Sequence, residues 1–110
     1  MALNPLQWNH THDVAVLILY MISLGYKPRL AYALRSKEEA KGLGFENSNH
    51  TRYLAVDIDL FDRNGKYLPD TESHRIFGQY WKQLREGNVW GGDFEKPDGN
   101  HYSHEYQGVK

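Results

Sequence analysis

The chain has 110 residues, 40% of them apolar, a formal net charge of −1 and no cysteine. That length and composition fit one globular domain with one core, and a near-neutral chain without a Lys/Arg cluster is not a phosphate-neutralising nucleic-acid binder. Without cysteine there is no disulfide framework, thiolate metal site or cysteine nucleophile, so any metal site is built from His, Asp and Glu.

In chain order, the first predicted element is a helix starting near His10–Asp13, with Asn9, Thr11 or Asp13 as N-cap, and ending at Gly25. Val14, Leu17, Ile18, Met21 and Ile22 recur at helical spacing. Ala15, Val16, Leu19 and Tyr20 make the segment apolar almost all round, which predicts a helix buried on more than one side. Its apolar run, Val14 to Leu24, is shorter than the roughly 20 residues that cross a bilayer. It also lacks the basic lead-in of a signal peptide. Arg29–Leu34 reads as a strand. Ser36-Lys37-Glu38-Glu39 has capping-box spacing and opens a short helix closed by Gly42 and Gly44. A polar loop follows to Thr51. Leu54–Phe61 alternates apolar and polar residues as a half-buried strand does, and Asp62-Arg63-Asn64-Gly65 turns the chain so that Lys66–Leu68 pairs back. Thr71 caps a third helix to about Glu86, with Ile76, Phe77, Tyr80, Trp81 and Leu84 on its apolar face. His101–Gln107 is the last strand. This order predicts an α+β domain, a small antiparallel sheet with helices packed against it.

Two segments carry chemistry. Ser48-Asn49-His50, followed by Leu54-Ala55-Val56-Asp57, puts a histidine in the loop before a strand and an aspartate on that strand's polar face, beside a small residue. Trp90-Gly91-Gly92 leads into Asp98-Gly99-Asn100-His101, an acid three residues before a histidine in a Gly/Pro-rich loop. Singly, each has a plain explanation: His50 a backbone-bonding loop residue, Asp57 a solvated carboxylate, Asp98-Gly99 a turn. Together they suit zinc, which takes imidazole and carboxylate ligands and keeps one position for water in a catalytic site. His104 competes with His101, but the two sit at an odd offset in a strand and face opposite ways. Asp59 shares a face with Asp57. His10, His12 and His74 read as surface or capping residues, and Trp8 and Trp81 as core. Trp90 is either a core anchor or a substrate-side wall.

These motifs resemble those of the M15 family of zinc peptidases, whose usual pattern is S-x-H-x-x-G-x-A-x-D followed by D/E-x-x-H. The resemblance spans roughly residues 29–108. The family contains D-Ala-D-Ala carboxypeptidases and dipeptidases, and phage endolysins that cut L-alanyl-D-glutamate bonds. The resemblance implies one zinc ion held by His50, Asp57 and His101, with Asp98 as general base and acid. It also implies that Arg35 contacts substrate or the developing oxyanion and that Ser48 lies beside the substrate. Two positions depart from the commonest pattern. Tyr53 stands where the family often has glycine, and the second acid is Asp rather than Glu, which goes with the endolysin branch.

The expectation is therefore a single peptidase domain over residues 1–110 acting on peptidoglycan stem peptides, as an L-alanyl-D-glutamate endopeptidase. It would be made in the cytoplasm, as in a phage-infected host, and act on the wall after release. The competing expectations are a D-Ala-D-Ala carboxypeptidase or dipeptidase, and a non-catalytic zinc-containing module that binds peptidoglycan.

Overall fold

The computed structural model of the chain describes residues 3–32 and 49–110. Helix α1 spans Leu3–Ser23, strand β1 Lys27–Tyr32, β2 Ala55–Phe61, helix α2 Thr71–Leu84, β3 Asn88–Trp90 and β4 His101–His104. Short 3-10 turns cover Asn49–Arg52 and Gly91–Asp93. The four strands form one antiparallel sheet in the order β1-β2-β4-β3. The result is the α+β architecture expected, with the short helix expected after Ser36 lying outside the described residues.

Helix α1 begins about seven residues earlier than its capping signals suggest. Pro5 sits in the first turn, where its missing N–H costs nothing. Asp13 caps nothing: its carboxylate is taken by Arg85 Nε at 2.9 Å and Nη2 at 3.1 Å, and by Asn88 Nδ2 at 3.2 Å, tying α1 to the end of α2. The helix is also buried along one stripe only, through His10, Asp13, Leu17 and Met21. Leu19 and Ile22 face out, and Trp8, expected in the core, is 69% exposed. The C-terminus follows expectation. Gly25 adopts φ +90° and Tyr26 N–H donates to Met21 O, the 6→1 bond of a Schellman cap.

On β2 the alternation holds: Val56, Ile58 and Leu60 are buried on one face, while Asp57 and Asp59 lie on the other. After the Asp62–Gly65 turn the returning segment forms only a bridge, Phe61 to Tyr67, rather than a strand. Asp70, not Thr71, caps α2, its carboxylate accepting from Ser73 N–H at 2.9 Å. The buried face of α2 is His74, Phe77, Gly78 and Trp81. Ile76 points to solvent, and His74, expected at the surface, is fully buried with Nδ1 hydrogen-bonded to Tyr102 Oη at 2.7 Å. His10 is buried as well, edge-on to Trp81 at 5.5 Å between ring centroids.

Both helices pack on the face that carries Val56, Ile58, Leu60 and Tyr102, and Trp81 and Trp90 fill the middle of that core. The opposite face of the sheet is therefore left to the polar residues of β2 and β4. Strand β4 stops at His104, short of the expected Gln107. The chain then turns at Gln107 (φ +49°) and Gly108 (φ +80°), with paired main-chain bonds between Tyr106 and Val109.

Candidate metal centre

Asp57 and His101 meet because of sheet register. They are direct cross-strand partners between β2 and β4, and opposed residues share a face with Cβ atoms about 5 Å apart. His101 Nδ1 lies 3.4 Å from Asp57 Oδ1, and both side chains are largely buried. His104, three residues on, belongs to the other face, where its Nδ1 lies 3.0 Å from Asn88 Oδ1.

Asp98 reaches the same place through a turn. His101 N–H donates to Asp98 O at 3.1 Å, so residues 98–101 form one tight reversal. Its two ends therefore carry the acid and the imidazole side by side, which is the physical content of an acid three residues before a histidine. The turn is held by Ile58 N–H donating to Asn100 O, by Trp90 Nε1–H donating to Gly99 O at 2.7 Å, and by Asp98 N–H donating to Gly91 O at 2.9 Å. Gly91 allows this approach, since a Cβ there would lie 2.1 Å from Asp98 O and 2.7 Å from His101 Cβ. Trp90 is thus a core anchor whose indole fixes the loop from below.

Among the described residues, Asp57, Asp98 and His101 each offer a ligand atom within 4.8 Å of the other two. Asp57 is partly covered, Asp98 exposed and His101 buried. The donor set fits a divalent ion. Zinc bonds of about 2.1 Å in a tetrahedron separate donor atoms by about 3.4 Å, the spacing found between His101 Nδ1 and Asp57 Oδ1. The other nitrogen of His101 is also engaged, with Nε2 3.1 Å from the main-chain oxygen of Lys110.

Of the remaining expected site residues, His50 has its backbone in the Asn49–Arg52 turn directly ahead of β2, with its side chain outside the described residues. Arg35 and Ser48 also lie outside them. Asp59 shares the face of Asp57 but is engaged by Arg29, Nη2 to Oδ2 at 2.8 Å, across β1 and β2. Tyr53 is 56% exposed, has φ +58° and lines a depression with Val14, Leu30 and Ala55 rather than the group of three. Asn49, Ser103 and the main chain of residues 109–110 were not among the expected site residues. All three surround His101 or the turn before β2, and nothing in their residue types sets them apart.

A solved structure has the same fold. The chain superposes on the crystal structure of the Serratia marcescens L-Ala D-Glu endopeptidase ChiX with a TM-score of 0.64 and 18% sequence identity, over 86% of this chain and 80% of that one. No protein-family model and no curated protein sequence matches the chain. At that identity the likeness establishes the fold, and the chemistry has to be argued from the residues. No described helix is long and apolar enough to cross a membrane.

Proposed function

We propose that this chain is a single zinc peptidase domain that hydrolyses peptidoglycan stem peptides, as an L-alanyl-D-glutamate endopeptidase of the endolysin type. The observation that carries this reading is the convergence of Asp57, Asp98 and His101 on a fold shared with an L-Ala D-Glu endopeptidase. Asp57 and His101, with His50 from the turn before β2, would hold the ion. A bound zinc supplies a water whose pKa falls to about 7 and polarises the scissile carbonyl.

The chain's own groups do the rest. Asp98 is the exposed member of the group. In this reading it would take a proton from the attacking water and return it to the leaving amine. The 98–101 turn holds the Asp98 backbone next to His101. Asp57 and His101 are fixed by strand pairing rather than by a loop, so the donors are set before substrate arrives. Arg35 would contact the substrate or the developing oxyanion, and Ser48 a substrate carboxylate.

Mass spectrometry of peptidoglycan digested with the zinc-loaded protein tests this reading. The expected products are stem peptides beginning at D-glutamate, with L-alanine left on the glycan. Loss of terminal D-alanine alone would contradict it and identify a carboxypeptidase. Retention on peptidoglycan with no soluble product would identify a binding module.

A further inference from the structure

The segment after β4 folds back onto the candidate metal centre. Gln107 and Gly108 both have positive φ, and Tyr106 and Val109 exchange N–H···O bonds at 3.0 and 2.9 Å. This is a two-residue hairpin of the I′ kind. It delivers the main-chain oxygen of Lys110 to two donors, Ser103 Oγ at 2.8 Å and His101 Nε2 at 3.1 Å. A carbonyl oxygen only accepts, so Nε2 must carry the proton in this contact. In the neutral ring the lone pair is then on Nδ1, the nitrogen that faces Asp57.

The same hairpin is tied to the other side of the centre. Asn49 is buried, and its Nδ2 donates to Val109 O at 2.8 Å and to His104 O at 3.1 Å. Leu54 N–H donates to Asn49 O, closing the turn that carries His50. Arg52 lies over the Tyr106 ring at 5.6 Å. One short hairpin thus bonds to the residue next to His50 and to His101 itself.

We propose that the Tyr106–Lys110 hairpin is a positioning device for the metal centre. Lys110 O fixes the His101 tautomer that presents Nδ1 to the ion, and Asn49 locks the hairpin to the turn bearing His50. A partner on the second nitrogen of a ligating histidine typically governs metal affinity by 10–100-fold. The inference rests on the zinc reading above and adds residues that touch neither metal nor substrate.

The test uses the full chain and two variants. Gly108→Pro cannot adopt φ +80° and opens the hairpin without altering any of the bonding side chains. Ser103→Ala removes only the second donor to Lys110 O. Zinc dissociation constants are measured by chelator competition, and the His101 Nε2–H is followed by 15N NMR of the zinc-loaded protein. The expected result is a slowly exchanging Nε2–H in wild type. In Gly108→Pro that proton should exchange fast and zinc should bind about 10–100-fold more weakly; Ser103→Ala should shift both in the same direction by less. Circular dichroism of both variants should be unchanged. Equal zinc constants and equal Nε2–H exchange in wild type and Gly108→Pro would overturn the hairpin's role while leaving the zinc reading intact. A wild-type chain that takes up no zinc would instead overturn the reading beneath it.

Discussion

Tyr53 shows how a single backbone angle separates shape from chemistry. A bulky residue at φ +58° is strained, at a cost of roughly 1–2 kcal/mol relative to an ordinary conformation. Glycine suits a left-handed backbone because it has no Cβ. More than half of the Tyr53 side chain is exposed, so its removal gives up little burial. Tyr53→Gly should therefore raise stability by up to about 1 kcal/mol after the entropy of a freer unfolded chain is counted. Urea denaturation reads this directly, and a fall in the midpoint would show that ring packing outweighs the strain. Gly91 is the opposite case, a residue whose lack of a side chain is needed. Gly91→Ala should push the 98–101 turn away from His101, costing on the order of 1–3 kcal/mol of stability. It should also lower kcat at least tenfold, because Asp98 moves with the turn. Unchanged kcat would mean that Asp98 is held by something other than this packing.

At the scale of elements, α2 makes a pH prediction. Burial pushes the His74 imidazole down to about 4 from an ordinary 6.5, while burial pushes the Tyr102 phenol up, so its hydroxyl stays protonated in its hydrogen bond with His74. Between those two pH values the unfolded chain binds a proton that the folded chain refuses. Stability is therefore complete above about pH 6.5 and falls as pH drops toward 4, by on the order of 3 kcal/mol in total. Denaturant titrations across this window should show that slope in wild type and a shallower one in His74→Leu. Equal slopes would assign the effect to other groups. Period-2 alternation made β2 legible, and with it the facing of Asp57, because a strand with one buried face must alternate. The boundaries of α1 and the burial of His74 and His10 were not legible. Asn9, Thr11 and Asp13 look like caps locally, yet Asp13 is claimed by Arg85 and Asn88 from more than 70 residues away in sequence. A histidine on an amphipathic helix reads as polar until its partner, here Tyr102 on β4, is known. Strand β3, three residues long, is too short for any periodicity to announce it.

For the whole molecule, the two motifs lie far apart in sequence and are joined by the pairing of β2 with β4. The motif spacing itself pointed to Asp57, Asp98 and His101. Their meeting needed the sheet register and the 98–101 turn, which no spacing encodes. The hairpin behind His101 was invisible for a related reason: its bonds run through the main chain of Val109 and Lys110, and main-chain acceptors carry no residue signature. What decides the account is whether the three converging groups serve a metal, and in which roles. Elemental analysis of zinc per chain tests this in wild type, His50→Ala, Asp57→Ala, His101→Ala and Asp98→Ala. About one zinc is expected in wild type, with loss in each of the first three variants and retention in Asp98→Ala with peptidoglycan cleavage abolished. No zinc in the wild-type chain after reconstitution, or zinc lost with Asp98 and kept without His50, would contradict it.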